Sequence, residues 1–395
     1  MYIQEQKKDN YEWLHAPLQT RQDVQRGHGS FLNSRYQRYP ELDRLLFKRS
    51  FGLCGIPLEV YWDGQDAERS FAALWAFRKE RFGIGADEKC CVFSTAEYAG
   101  NKIMDYMPRY LSWDKKTLSF PMLDLSLERM KEWVDDISSF HPAWMRIPPS
   151  VAVMLAETMK LSGQMSLPSL RYIELSGEML DEKMELMLRE AFQAQISNVY
   201  ATQETGPIAA SCTYGNLHIF SENVALQVIR DGKSVMDEEG DIYVTSLQNN
   251  AMPLVRLKTG DKGVLLSKSC SCGQSAPVLR LTKGRDCSFI VTVSGRKISA
   301  FMLRSLAEYA NEEVSRCLEH IQFRQTGCDS MDVILGVKPA FSGWEGEIAW
   351  VLRRQIQDME LKQMRWNFIF VDSCASEKSE IEKRPFFAMN EGVVV

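Results

Sequence analysis

No apolar run among the 395 residues approaches the ~20 needed to cross a bilayer, which argues against a helical membrane span. The opening stretch, Met1-Tyr2-Ile3-Gln4-Glu5-Gln6-Lys7-Lys8-Asp9-Asn10, has no apolar core, so no secretory signal is read there. An excess of basic charge is also missing. Lys and Arg total 47 against 52 Asp and Glu, giving a net charge of -5, so the chain carries no footprint for nucleic acid. Internal repeats and low-complexity segments are absent. Histidine is scarce at five, and His15, His28, His141 and His320 have no metal-like partners in sequence. These absences leave the cytoplasm as the default compartment, with neither a membrane nor nucleic acid as partner. The ten cysteines are then read as metal ligands or core thiols before disulfides.

What is present is the composition of an ordinary globular protein, 45% apolar and 25% charged, long enough for about two or three domains. Residues 1 to about 45 are polar and aromatic without clear periodicity. Ala67–Phe82 reads as one amphipathic helix, with Phe71, Leu74, Trp75 and Phe82 on its apolar face. Cys90-Cys91-Val92-Phe93 reads as a buried strand, and Leu127–Ile137 and Val151–Leu161 as further helices. This alternation through residue 200 predicts a layered α/β domain. After Gly206 the pattern changes to short strands separated by turn residues, such as Val224–Ile229 and Asp241–Ser246. Beyond Gly284-Arg285-Asp286 strands and helices mix again.

Three short motifs stand in order past apolar, strand-like runs. Ser176-Gly177-Glu178-Met179-Leu180 follows Tyr172-Ile173-Glu174-Leu175. Asn198-Val199-Tyr200-Ala201-Thr202-Gln203-Glu204-Thr205-Gly206 is the second, and Arg256-Leu257-Lys258-Thr259-Gly260-Asp261 the third. Small and acidic residues at strand ends suit ligand binding in open α/β sheets. Glycine lets the backbone come close to a ligand, and a carboxylate holds a cation or sugar hydroxyls.

From about Phe47 to the C-terminus, the chain with these motifs resembles the adenylate-forming enzymes, and within them the phenylacetate–CoA ligase-like branch. The resemblance implies a large α/β AMP-binding domain over residues 1–285, with a β-rich, zinc-containing subdomain at about 207–283. A small α+β cap follows over 286–395. The resemblance implies a longer helical N-terminal region, so this end reads as shortened. It also places Ser176, Gly177 and Glu178 beside adenine, Tyr200 stacked on it, Asp261 on the ribose hydroxyls and Arg285 near them. Ala201, Thr202 and Gln203 belong to the same nucleotide-binding motif. Glu204 matches the magnesium-binding glutamate, and Lys383 the cap lysine that approaches the α-phosphate. Ser50, Gly52 and Gly55 fall where the family has its phosphate loop.

Departures from the family pattern cluster around the phosphates. Leu53 and Cys54 replace hydroxyl residues, Gln203 replaces the hydroxyl before Glu204, and Ala201 replaces a glycine. The hinge reads Cys287-Ser288, and Glu382 replaces the glycine before the cap lysine. Two functions follow. The first is an ATP- and magnesium-dependent ligase that adenylates a small carboxylic or amino acid and passes the acyl group to CoA, a carrier-protein thiol or an amine. The second is a non-catalytic or repurposed adenylation fold that binds a nucleotide, an acyl ligand or a protein. Homodimerisation stays open in either.

Cys212, His218, Cys270 and Cys272 form a separate pattern, Cys-x5-His and then Cys-x-Cys-Gly. Three thiols and an imidazole make a closed tetrahedral set suited to structural zinc. The same four positions match a Cys/His pattern in phenylacetate–CoA ligase-like proteins.

Overall fold

The computed structural model describes residues 16–39, 41–50, 58–94, 109–122, 124–164, 166–284, 288–314, 317–357, 359–371 and 386–390. The described chain opens on a short helix, α1 (Arg21–Arg26), started by Thr20. The Thr20 hydroxyl accepts from the Asp23 amide, and the Asp23 carboxylate accepts from the Thr20 amide. This reciprocal pair satisfies two of the groups a helix start leaves open. A hairpin follows, β1 (Leu45–Ser50) and β2 (Leu58–Asp63), with Ser50 opposite Leu58.

Next come two helices where the sequence reads one, α2 (Gly64–Ser70) and α3 (Ala72–Phe82). The Ser70 hydroxyl donates back to the Ala67 carbonyl at 2.7 Å, and Phe71 caps α2. Such back-bonding competes with the helical ladder and bends it. The expected apolar face survives the break, because Leu74 and Phe82 are buried and Phe71 and Trp75 pack against the same cluster.

Strands and helices then alternate: β3 (Cys90–Ser94), β4 (Tyr110–Leu111), β5 (Thr117–Pro121), α4 (Leu127–Phe140), β6 (Trp144–Ile147), α5 (Pro149–Leu161), β7 (Tyr172–Ser176), α6 (Glu182–Phe192) and β8 (Gln195–Thr202). Strands β5, β3, β6, β7 and β8 lie side by side and parallel. Parallel strands are covered on both faces, which is why β3 and β7 read as nearly unbroken apolar runs.

At Gly206 the chain reverses. β9 (Gly206–Ser211) returns antiparallel to β8. β10 (Leu217–Ile219), β11 (Val224–Arg230), β12 (Lys233–Ser234), β13 (Glu239–Ser246), β14 (Leu257–Leu266) and β15 (Val278–Lys283) complete the antiparallel half. The order across the whole sheet is β12-β11-β13-β14-β15-β10-β9-β8-β7-β6-β3-β5-β4, 13 strands in all. The stretch 207–283 is therefore β-rich as expected, but it shares one sheet with the α/β half. Pairing of β8 with β9 makes the join.

Downstream lie a hairpin, β16 (Phe289–Val291) with β17 (Lys297–Ser299), and helix α7 (Met302–Glu313). β18 (Leu318–Gly327), β19 (Ser330–Val337), helix α8 (Glu345–Gln357), β20 (Arg365–Val371) and β21 (Phe387–Met389) follow. They form a four-stranded sheet in the order β20-β19-β18-β21 with α8. One apolar cluster joins this C-terminal α+β unit to the parallel half, running from Phe120 and Ile173 to Leu303, Phe323 and Leu352. Among the described residues, no helix is long and apolar enough to cross a membrane.

A buried ion pair ties α3 to β7. Arg78 Nε and Nη2 donate to the two Glu174 oxygens at 2.7 and 2.8 Å, and the side chains are 2% and 1% exposed. The guanidinium lies 4.3 Å from the Trp75 ring centroid and 4.7 Å from that of Trp144. Removing one partner strands the other charge in a dry site, at a cost of about 3–5 kcal/mol. Glu174→Gln and Arg78→Met should each lower the urea midpoint accordingly, while the double variant Arg78→Met/Glu174→Leu should regain most of the loss. Single variants with unchanged midpoints would show that the pair is neutral.

Candidate active site

The three sequence motifs converge on one cavity of about 250 Å³ at the C-terminal ends of β7 and β8. Ser50, Ser176, Gly177, Glu178, Tyr200, Ala201, Thr202, Gln203, Glu204 and Asp261 all line it. Gly52, Gly55, Arg285 and Lys383, named from the sequence as nucleotide or catalytic residues, lie outside the described residues, as do Leu53 and Cys54.

Local backbone geometry explains each motif. Ser176 ends β7, and Gly177 turns the chain at φ +94°, where a Cβ would come within 3.2 Å of the Phe301 ring. The Glu178 carboxylate is directed to the start of α5, accepting from the Ser150 amide at 2.9 Å and the Ser150 hydroxyl at 2.6 Å. A carboxylate at that position suits the positive end of the helix. Ser150 in turn shares a 2.6 Å hydroxyl contact with Ser299 of β17, so the first motif is fastened to the C-terminal unit.

The second motif forms the β8–β9 turn. Thr202 and Thr205 hydroxyls meet at 2.9 Å, and the Gln203 carbonyl accepts from the Trp62 indole at 2.9 Å. Gly206, at φ +72°, admits no side chain, since a Cβ would lie 2.9 Å from the Ser70 hydroxyl. The third motif contains a register shift between β13 and β14, with Thr259, Gly260 and Asp261 between the pairs Lys258–Tyr243 and Lys262–Asp241, a bulge that re-aims the strand and presents Asp261 to the cavity.

Tyr200 and Asp261 meet across the two motifs. The phenol donates to Asp261 Oδ2 at 2.7 Å. Burial first, then the Asp261 charge, push the phenol well above its ordinary value, so it stays a donor. The ring is part exposed to the cavity and enclosed by protein elsewhere.

Glu204 is buried, and its partner was not foreseen from the sequence. Arg21, the first residue of α1, forms an ion pair with Glu204 Oε1, and the Ser50 hydroxyl donates to the same oxygen at 2.8 Å. Arg21 Nη2 also donates to the Ser50 carbonyl and hydroxyl, both at 2.8 Å. Burial opposes ionisation of Glu204, but the Arg21 charge and the Ser50 hydrogen bond outweigh it and lower the carboxyl below its ordinary value. The signal available in the sequence was Thr20-Arg21-Gln22-Asp23, a capping-box spacing that announces a helix at Arg21. Away from these motifs the cavity is lined by the apolar Phe93, Met122 and Pro148 and by the polar Arg146 and Asn198. Phe301 and Arg304 reach it from the C-terminal unit.

The four metal-type residues also come together, away from this cavity. Cys212 follows β9, His218 lies in β10, and Cys270 and Cys272 stand in the β14–β15 loop. Their ligand atoms all lie within 4.8 Å of one another. Cys212 and Cys270 sulfurs are 3.8 Å apart, and Cys272 Sγ is 3.3 Å from His218 Nε2. Burial opposes a thiolate at Cys270, yet hydrogen bonds from the Cys272 and Asn216 side outweigh it and lower the thiol below its ordinary value. Burial also keeps His218 neutral; the Ala276 backbone favours the charged ring, although no hydrogen bond of ordinary geometry reaches Nδ1. Burial pushes the neighbouring Cys212 thiol the other way, up to about 11. Zinc takes its cysteines as thiolates and its imidazole neutral, so metal binding would have to displace the Cys212 proton.

The fold is shared with solved CoA ligase structures. The chain superposes on a 2-hydroxyisobutyryl-CoA ligase in complex with 2-HIB-AMP and CoA in the thioesterification state. There the TM-score is 0.57 at 16% identity, covering 95% of this chain and 80% of that one. The same ligase in the postadenylation state with 2-HIB-AMP gives a TM-score of 0.55 at 14% identity, covering 96% and 85%. At the sequence level, a stretch of 147 residues is 29% identical to the phenylacetate-coenzyme A ligase of Thermus thermophilus. That match spans 35% of this chain and 33% of the relative. No family model matches the chain.

The lowered Glu204 fixes the sign of a pH effect. Its folded value lies below the ordinary 4.5, so its contribution to stability is fully present above about pH 4.5 and is lost as pH falls through the folded value. Thermal melts of wild type and Glu204→Gln should differ near neutral pH and converge in acid. Parallel melting curves across the whole range would show that Glu204 is not held ionised by its neighbours.

Proposed function

We propose that the protein is an ATP-dependent ligase that adenylates a small carboxylic or amino acid and transfers the acyl group to CoA, a carrier-protein thiol or an amine. The observation that carries this reading is the convergence of three sequence-distant motifs on one cavity, with Tyr200 bonded to Asp261 at 2.7 Å. In the first step an acid oxygen attacks the α-phosphorus of ATP, and pyrophosphate leaves. In the second a thiol or amine attacks the acyl carbon, and AMP leaves. Asp261 accepts from ribose hydroxyls beside the adenine wall of Ser176, Gly177 and Tyr200. The acyl group fits the region of Phe93, Met122, Arg146 and Asn198. Lys383 is the cation that approaches the α-phosphate in this reading, and Arg285 lies near the ribose. Magnesium on Glu204 belongs to the mechanism only if Arg21 gives way to it. The cytoplasm, where ATP and CoA are abundant, is the compartment that suits this chemistry.

A second reading, a nucleotide-binding fold without ligase turnover, is favoured by one observation: the Glu204 carboxylate is already paired with Arg21. Release of pyrophosphate over a panel of carboxylic and amino acids separates the two. The ligase reading expects release with at least one acid, and silence across the panel with retained AMP binding selects the second. In both, Asp261→Ala should weaken AMP binding by about 1.5–3 kcal/mol, the worth of a charged hydrogen bond, as read by calorimetry. Unchanged affinity would remove Asp261 from the nucleotide site.

Zinc is the second part of the proposal, held by Cys212, His218, Cys270 and Cys272. Zinc–sulfur bonds of about 2.3 Å in a tetrahedron put ligand atoms roughly 3.8 Å apart, which the 3.8 Å sulfur separation supports. With four protein ligands the site is closed, so its role is to clamp β9, β10 and the β14–β15 loop. Elemental analysis of protein purified without added metal should give about one zinc per chain. Cys272→Ser should lose the metal and lower the melting temperature, and metal-free wild type with four freely modifiable side chains would sink the assignment.

A further inference from the structure

The cation at Glu204 belongs to the chain itself. Glu204 is where the family resemblance puts magnesium, and magnesium needs carboxylate oxygen open to it. Here Glu204 Oε1 is taken by Arg21 and by the Ser50 hydroxyl, and the carboxylate is 95% buried. Among the described residues, Glu204 belongs to no group of three or more His, Cys, Asp or Glu side chains placed to hold a metal ion. A dication arriving at this oxygen would face a guanidinium at contact distance, a strong repulsion in a site of low dielectric.

Arg21 is held there firmly. The segment before it adds to the edge of the third motif. Gln19 bridges to Leu257, its amide donating to the Arg256 carbonyl at 3.0 Å and its carbonyl accepting from the Lys258 amide at 2.8 Å. Arg256 Nη1 donates to the Ala16 carbonyl at 2.5 Å. The capping box at Thr20 starts α1, and Val24 is buried with Trp62, Leu254 and Leu257. Arg21 thus reaches the second motif from a strap bound to the third.

The surroundings of Arg21 suit a polyanion. Lys48, next to Arg49 and Ser50 on β1, also lines the cavity, whereas the buried Arg49 guanidinium is taken by Glu59 at 3.1 Å. Where the family resemblance puts a phosphate loop, Leu53 and Cys54 stand in place of hydroxyl residues, which removes two side-chain donors. A guanidinium supplies both charge and directed N–H groups for phosphate oxygens.

We propose that Arg21 is the resident cation of the nucleotide site, fixed on Glu204 where a divalent ion would otherwise sit, and that it binds the phosphate end of ATP. Nucleotide binding then needs no divalent metal. This inference rests on the adenine-nucleotide reading of the cavity, and the test separates the two. Full-length protein is titrated by calorimetry with adenosine, AMP and ATP, each with magnesium chloride and with EDTA. Wild type should bind ATP with affinities that agree within about threefold in the two buffers, since the Arg21 contact with the phosphates does not depend on added metal. Arg21→Gln should lose about tenfold or more for ATP in EDTA, the worth of one charge-assisted contact, while its adenosine affinity stays at the wild-type value. Arg21→Lys, which keeps the charge and spares Glu204, guards against loss of folding and should fall between the two. Wild-type ATP binding that requires magnesium, or Arg21→Gln binding ATP as wild type does in EDTA, overturns the inference and leaves the nucleotide reading standing. Absence of binding by adenosine, AMP and ATP alike overturns both.

Discussion

The Arg78–Glu174 pair fixes where everything around the cavity stands. An ion pair this dry is held only if each oxygen and nitrogen meets its partner squarely, so it tolerates little relative movement of α3 and β7. α3 carries Leu74 into the cavity wall at one end and Phe82 into the apolar cluster around Cys212 and Cys270 at the other. β7 carries Glu174 two residues before the turn at Ser176 and Gly177. This contact thus ties the strand that leads into the first motif to the helix that packs on the metal-type cluster. Trp75 and Trp144 close it off from water, which strengthens the pairing they enclose.

The cavity is divided by chemistry. Its end at Glu204 is polar and carries the Arg21 guanidinium, built from the strap, from β1 and from the β8–β9 turn. Its other end is apolar with a few polar groups, the usual make-up of a site for a small organic ligand. The C-terminal unit is joined to the first motif through the chain of contacts from Ser299 to Ser150 to Glu178. A shift of the β16–β17 hairpin would therefore pull on the first motif and on the start of α5 together. Phe301 seals the Gly177 turn from the same side.

Much of this was legible in the sequence, and what was missed has common causes. The parallel strands announced themselves as apolar runs, and the three motifs as small and acidic residues at strand ends. The Cys/His set was readable because thiols in such spacing have few other uses. By contrast, Ala67–Phe82 looked continuous because helical periodicity does not register a serine bonding back to its own turn. The stretch after Gly206 looked like a β-rich subdomain of its own because composition records strand type and not strand neighbours. Arg21 was invisible as a site residue for a related reason. Its partner lies 183 residues away, and nothing local marks an exposed-looking arginine as the mate of a buried glutamate. The capping box showed a helix start there without showing where the helix would dock.

The strap also orders events during synthesis. Ala16 waits for Arg256, a separation of 240 residues. At ~5–20 residues per second the ribosome needs roughly ten to fifty seconds to cover that interval, far longer than a hairpin takes to form. During it the parallel strands and the β8–β9 turn can emerge and pair. The contacts of Gln19 and Ala16 need β14, so the strap cannot be complete before Lys258 has emerged. The N-terminal segment, made first, thus completes its docking on a seat that the later chain supplies.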